Sequence, residues 1–269
     1  MTAALLTRVI LAPALVAIAT LAARRWGPAA AGWAAATPVV AGPVLLVFVL
    51  DHGVAFGAQS AAAATLGLVS LAVFTVAYAR LAMRGLGWYL CLPLGWAAFL
   101  AVTAILSLVS LPGPWAFLLA VAAFALLRSA TGEPRTATAM GRSLPADIPL
   151  RMVAALLMVL TLGLIAGMLG PRLSGLLAPF PVIGSVMAAF TQITRGRDAL
   201  QGYSLALLKG LPSFAMFTAT VAITLQPWGT PAAFMLAALA SAGSHAVLIF
   251  IDTRGSADRD RPRVPAGSR

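Results

Sequence analysis

The sequence predicts an all-α integral membrane protein of about nine transmembrane helices, arranged as two inverted four-helix repeats joined by a linker helix. Composition, apolar runs and an internal repeat predict this fold class. Charged residues make up 9% of the 269 residues and apolar residues 61%, whereas a soluble domain carries about 25% charged residues. A chain with so little polar surface is expected to have the lipid bilayer as its first partner.

The apolar runs are long enough to cross a bilayer. A span needs roughly 20 apolar residues, because the hydrocarbon core is about 30 Å thick and a helix rises 1.5 Å per residue. Nine candidate spans fit: 5–23, 29–50, 55–79, 87–109, 113–127, 150–169, 173–193, 199–225 and 230–251. The fifth is the shortest. The predicted units are a first repeat (1–110), a linker helix with a cytoplasmic loop (111–149), a second repeat (150–252) and a disordered cytoplasmic tail (253–269).

The repeat emerges when the chain is aligned with itself, without gaps, so that Gly27 falls on Gly170. Under this repeat alignment, roughly a quarter of the positions from Arg8 to Leu81 match an identical residue. The matches include Gly27/Gly170, Pro28/Pro171, Gly32/Gly175, Pro38/Pro181, Gly53/Gly196 and Gly67/Gly210. Because they fall on Gly, Pro and Arg as well as on Ala and Leu, composition alone is a poor explanation.

The linker helix sets the orientation of the second copy. Four helices followed by one linker start that copy from the opposite face, so the two copies would be antiparallel. With nine spans, 15 of the 18 basic residues lie on one face, the exceptions being Arg8, Arg172 and Lys209. Since cytoplasmic loops collect Lys and Arg, the C-terminus is predicted to be cytoplasmic.

Residues 150–251 resemble the GlpM family of small four-helix bacterial inner-membrane proteins. The resemblance rests on Ser174-Gly175-Leu176, Phe180-Pro181, the turn Thr194-Arg195-Gly196-Arg197 and the segment from Gly210 to Phe214. The present chain would be a duplicated, double-length form. The resemblance implies a bacterial inner-membrane location and a link to carbohydrate or exopolysaccharide physiology, and it supplies no catalytic residues.

Three candidate binding residues lie inside apolar runs. Pro38 and Pro181 sit near the middle of equivalent helices, where a proline frees a backbone carbonyl. Matched interruptions in two inverted halves indicate a transporter site at the midplane, although a kink that improves packing is the alternative. Lys209, the single lysine, would face a cavity or partner, or extend its ammonium to water.

Three further candidates lie near helix ends. Arg8 and Arg151 open equivalent helices and could guide an anion or anchor the helix ends. His245, beside Ser241 and Ser244, could relay protons or form a packing hydrogen bond.

Several function classes are disfavoured. One cysteine, two histidines and few carboxylates predict no disulfide, no metal site, no cofactor and no enzyme activity. The arginines sit in short gaps between apolar runs, which disfavours nucleic-acid binding.

Two hypotheses remain. The first is a permease for a small anionic or neutral solute. The second is a non-transporting accessory protein of an envelope or exopolysaccharide pathway, with a second copy of the chain or an envelope protein as partner.

Overall fold

The computed structural model describes residues 24–38, 41–109, 111–129 and 170–259, with isolated positions 17, 21, 131, 149, 152 and 153. This part of the chain forms helices and turns and contains no strand, so the all-α prediction is confirmed for it. The helices are α1 (Pro28–Ala35), α2 (Ala41–His52), α3 (Val54–Met83), α4 (Trp88–Ser107), α5 (Gly113–Ser129), α6 (Pro171–Leu177) and α7 (Val182–Arg259).

Two glycines divide α7 into three segments. Gly196 has φ 82° and ψ −175°, and Gly229 has φ 73° and ψ 171°. Only glycine adopts this region readily, because a Cβ would clash with the backbone. The segments are α7a (182–195), α7b (197–228) and α7c (230–259). The helix thus continues past residue 252, where the sequence predicts the start of a disordered tail.

Long apolar helices dominate the described residues. Val54–Met83, Trp88–Ser107 and the stretch Pro171–Arg254 are long and apolar enough to cross a membrane. Large apolar side chains point outward from several helices, among them Leu100, Leu118 and Leu239. Such exposure is unusual for a monomer in water and is compatible with a membrane protein.

Each predicted second helix is two helices. The sequence predicts continuous spans over 29–50 and 173–193, but the first is divided into α1 and α2 and the second into α6 and α7a. The reason is proline, which fixes φ and has no N–H to donate. The carbonyl of Pro38 accepts from the amide of Gly42, and that of Pro181 from Ser185, each at 2.7 Å. The prolines therefore precede a new helix and do not kink a continuous one.

The short helices pack against the opposite half of the chain. A Cβ added to Gly32 in α1 would collide with the carbonyl oxygen of Tyr203 in α7b. A Cβ added to Gly175 in α6 would collide with the carbonyl oxygen of Ser60 in α3. Under the repeat alignment Gly32 corresponds to Gly175 and Ser60 to Tyr203. The two contacts are therefore equivalent, with the roles of the two halves exchanged.

A second pair of contacts repeats the exchange. A Cβ on Gly67 in α3 would collide with the carbonyl oxygen of Leu176, and one on Gly210 in α7b would lie 3.2 Å from Cε3 of Trp33. Each short helix runs parallel to the long helix of the opposite half that it contacts. These contacts require glycine because backbone or side-chain atoms of the opposite half occupy the space that a Cβ would fill.

Helices α3 and α7b are antiparallel to each other. A Cβ on Gly57 would lie 3.1 Å from Cδ2 of Leu225, and Thr65 shares a hydrogen bond of 2.8 Å with Thr218. As α3 proceeds from 57 to 65, α7b therefore proceeds backward from 225 to 218. Both threonines are fully buried, so this crossing is part of the core.

Helix α5 lies along α7b. A Cβ on Gly113, at the start of α5, would be 3.9 Å from Cβ of Ala222. Beyond its end, the carbonyl of Thr131 accepts from Nε2 of Gln201 at 2.8 Å. Residues 201 and 222 are roughly 32 Å apart along a helix, so α5 and the residues after it follow α7b over that length.

Several predictions fall outside the described residues. Arg8 and Arg151 do so, as do most of the predicted spans 5–23 and 150–169.

Candidate functional site

A small cavity lies between the two helix breaks. Its volume is about 40 Å³, which is room for roughly three waters. The described residues lining it are Ala35, Thr37, Ala41, Leu71, the segment 178–184, Leu207 and Phe214. Residues from both proline-containing breaks thus line one cavity, with Pro181 itself in the wall and Thr37 and Ala41 representing the break at Pro38.

Both halves contribute equivalent positions to this central cavity. Under the repeat alignment, Ala35 corresponds to Ala178 and Leu71 to Phe214. Gly184, at the start of α7a, corresponds to Ala41 at the start of α2. The cavity is therefore where the two halves meet around the same structural feature.

Backbone dipoles provide most of the polarity at the cavity. The first turns of α2 and α7a begin there, and a helix start carries partial positive charge. The ends of α1 and α6, with partial negative charge, lie at the same breaks. Thr37 Oγ1 donates to the carbonyl of Ala34 at 2.7 Å. Among the described lining residues none has an ionisable side chain.

Helix α4 supports the second break. The ring of Phe180 packs against those of Trp96 and Phe99, with centroids 6.1 Å and 5.1 Å apart. Trp96 Nε1 donates to Oγ of Ser185 in the first turn of α7a at 2.9 Å. Sequence reasoning missed Trp96 and Ser185. The available signal was the indole of Trp96 in the middle of a helix, because an indole N–H needs an acceptor when it is buried.

Lys209 is not at the cavity. Its ammonium forms an ion pair with Asp252 of α7c, and the side chains are 26% and 30% exposed. The sequence predicts that Lys209 faces a cavity or a partner; in the structure it contacts Asp252 of the same chain. Lys209 is not among the described residues that line the cavity, whereas Pro181 is.

His245 makes a contact between helices. Its Nδ1 lies 2.7 Å from Oγ of Ser213, and its ring stands edge-on to Trp33 at 5.1 Å. In the first half Thr103 Oγ1 donates to Ser70 Oγ at 2.9 Å, and Ser70 is the repeat equivalent of Ser213. His245 thus joins α7c to α7b much as Thr103 joins α4 to α3.

A further polar contact lies at one end of the bundle. Tyr78 donates to Oε1 of Gln192, and Nε2 of Gln192 donates to the carbonyl of Leu86, each at 2.8 Å. These bonds hold α3, α7a and the turn after α3 together. Among the described residues no group of three or more His, Cys, Asp or Glu is clustered to hold a metal ion.

Comparison with family models, curated proteins and solved structures finds no match to this chain. The resemblance to the GlpM family therefore stays a prediction from the residues quoted above.

Proposed function

We propose that this chain is a bacterial inner-membrane protein of two inverted four-helix repeats joined by α5, and that it passes a small solute between its two helix breaks. The inverted repeat is supported by the exchanged contacts of Gly32 with Tyr203 and of Gly175 with Ser60. The antiparallel course of α3 and α7b supports opposite orientations, because these helices are equivalent members of the two copies.

The nine-span topology is supported by contacts at both faces. Arg197, next to the turn at Gly196, donates from Nη2 to the carbonyl of Gly85 at 3.3 Å, so these turns lie on one face, the proposed cytoplasmic one. Arg172 donates to the carbonyl of Leu106 at 3.4 Å on the opposite face. The course of α5 along α7b favours a linker that crosses the bilayer, although α5 itself is only about 25 Å long.

The observation that carries the transport proposal is the central cavity. Broken helices from two inverted halves place helix ends at the middle of a bilayer, where secondary transporters bind their solutes. Backbone dipoles can hold a small polar or singly charged anionic group there, since they supply partial charges. No ionisable group lines the cavity among the described residues, which favours passive passage over proton coupling.

The test is flux into liposomes that contain the purified full-length chain. Small neutral solutes, monovalent inorganic anions and short carboxylates are offered separately, and uptake is followed with labelled solute. At least one class should enter faster than into empty liposomes. If no class enters faster, the transport proposal is wrong.

A matched pair of variants assigns the path. Gly184→Leu places a side chain in the central cavity, where a Cβ has room beside Pro181 at 3.5 Å. Gly202→Leu makes the same change where nothing lies within 4 Å. The first should lower flux about tenfold or more because the passage is narrow, and the second should leave it unchanged. Equal effects would place the path elsewhere.

The accessory role is the second candidate, and the small size of the cavity favours it. A space for roughly three waters, with one hydroxyl-bearing side chain among the described residues of its wall, is also a site where two halves simply pack. This candidate predicts that the chain co-purifies with one defined envelope protein in mild detergent and that Gly184→Leu leaves the association intact.

A further inference from the structure

A second, larger cavity opens beside Arg172. This Arg172 groove lies between α3, the start of α6 and the residues after α4, and offers about 280 Å³ to the centres of water-sized molecules. The described residues lining it are Gln59, Ala62, Ala63, Leu66, Val109, Leu111 and Arg172. None of these described residues also lines the central cavity.

The groove is amphipathic. Arg172 and Gln59 supply a cationic and a hydrogen-bonding group at one end, while alanine, leucine and valine side chains form the rest of its described wall. The hydrogen bond from Arg172 to the carbonyl of Leu106 positions the guanidinium. A guanidinium recognises phosphate oxygens through paired N–H donors, and an apolar wall accepts a hydrocarbon chain.

The polar end lies at the depth of lipid phosphates. Helix α3 has 30 residues and is about 45 Å long, so it exceeds a hydrocarbon core of about 30 Å by roughly five residues at each end. Gln59 lies near that boundary. Arg172 is at the same level, because Oγ of Ser60 donates to the carbonyl of Pro171 at 3.0 Å.

The second repeat differs at the equivalent positions. The repeat alignment takes Leu66 to Lys209 and Val109 to Asp252, which form the ion pair described above. The equivalent of Arg172 is Ala29. The gap that the second half closes with an ion pair is thus left apolar in the first half, with a cation at its end.

From this geometry we infer that the Arg172 groove binds an anionic phospholipid, with its phosphate at the guanidinium and an acyl chain along Leu66 and Val109. The charge of Arg172 matches the phosphate, and the apolar wall excludes a soluble anion as the best fit. The inference depends on the proposed membrane insertion but not on solute passage.

The test measures lipid retention by the full-length chain with native mass spectrometry. Purified protein is titrated with phosphatidylglycerol, with phosphatidylcholine of the same acyl chains, and with inorganic phosphate. We expect phosphatidylglycerol to bind about fivefold more tightly than phosphatidylcholine, since a basic group near a membrane surface contributes that much. Equal binding of the two lipids, or equal binding of inorganic phosphate, would overturn the proposal.

Three variants assign the site. Arg172→Gln should abolish the preference for phosphatidylglycerol, and Ala62→Leu, which copies Leu205 of the second repeat, should weaken both lipids by filling the groove. Arg197→Gln is the matched control, because Arg197 also donates to a backbone carbonyl but lies on the other face. Loss of the preference in all three, or in none, contradicts the assignment. If Arg172→Gln does not fold, Ala62→Leu and the wild-type lipid comparison decide, and flux in liposomes is scored separately.

Discussion

The contacts inside the bundle and those at its periphery differ in how well the two halves match each other. Inside, Gly32 meets Tyr203 as Gly175 meets Ser60, so each half makes the contact that the other makes. Outside, Lys209 and Asp252 form an ion pair where the first half has Leu66 and Val109. The inner positions are restricted because a helix backbone approaches each glycine, whereas the outer positions tolerate different side chains. Close backbone packing therefore accounts for the glycines that the two halves share, whereas the periphery accommodates different side chains.

The largest effect is expected for Gly32→Ala and Gly175→Ala. Each adds a Cβ that collides with a carbonyl oxygen of the opposite half, so each should lower the free energy of unfolding by about 3 kcal/mol or more. Thermal unfolding of the purified variants in detergent measures this loss.

The control for both is Gly202→Ala, which has nothing within 4 Å and should be neutral or stabilise the helix by up to about 1 kcal/mol. If one of the two glycines tolerates alanine as well as Gly202 does, the halves do not make the same contact.

The next effect concerns the turn between α2 and α3 and its counterpart between α7a and α7b. Gly53 (φ 90°, ψ 171°) and Gly196 (φ 82°, ψ −175°) share a conformation that other residues rarely adopt. Gly53→Ala and Gly196→Ala should each lower the free energy of unfolding by about 1–3 kcal/mol through backbone strain. Strain is the only expected cause, since no atom lies within 4 Å of the added Cβ.

The preceding pair of turns sharpens the comparison because its two members differ. Gly27 has φ 88°, whereas Gly170 has φ −56°. Gly27→Ala should therefore destabilise the protein while Gly170→Ala should not, as judged by the same unfolding assay. Equal losses would contradict the backbone difference.

A smaller effect is expected at the outer ion pair. Asp252→Asn removes one partner of a pair that is about one-quarter to one-third exposed, so the loss should be no more than about 1 kcal/mol. The double substitution Lys209→Leu with Asp252→Val copies the first half and should be less destabilising than Asp252→Asn alone. A double-mutant cycle with no coupling energy would show that the pair adds no stability.

The smallest effect is expected at the crossing of the long helices. Thr65→Val removes the bond to Thr218, and a bond of this kind between helices in a membrane is worth about 0.6 kcal/mol. Thr218→Val should give a similar loss, and the double variant should not exceed the sum of the two. The same unfolding measurements provide the values.

Helix positions could largely be read from the sequence. The predicted spans 55–79, 87–109 and 113–127 correspond to α3, α4 and α5 within a few residues, because long apolar runs bounded by Gly, Pro and Arg define them. The sequence predicts that Pro38 and Pro181 interrupt their helices, but it does not predict that each helix is separated into two. That outcome depends on the opposite half, whose long helix receives each short helix.

The site was only partly predictable for the same reason. The matched prolines predict a site between the two halves, and the cavity is lined by residues of both breaks, including Pro181 but not Pro38. The partner of Lys209 is 43 residues away in α7c. Asp252 lies at the predicted boundary between the second repeat and the tail, so no local pattern pairs it with Lys209. The sequence shows Arg172 only as an exception to the charge bias, because its groove is formed by residues far apart in the chain.

The contact of α1 with α7b has a consequence for biosynthesis. During translation α1 leaves the ribosome roughly 170 residues before Tyr203, which at 5–20 residues per second is a delay of roughly ten seconds or more. In that interval a helix of eight residues, too short to cross a bilayer, has not yet met its packing surface. If the chain is inserted in the membrane as proposed, the nascent first half is therefore held by the translocation machinery or by lipid until the second half is made.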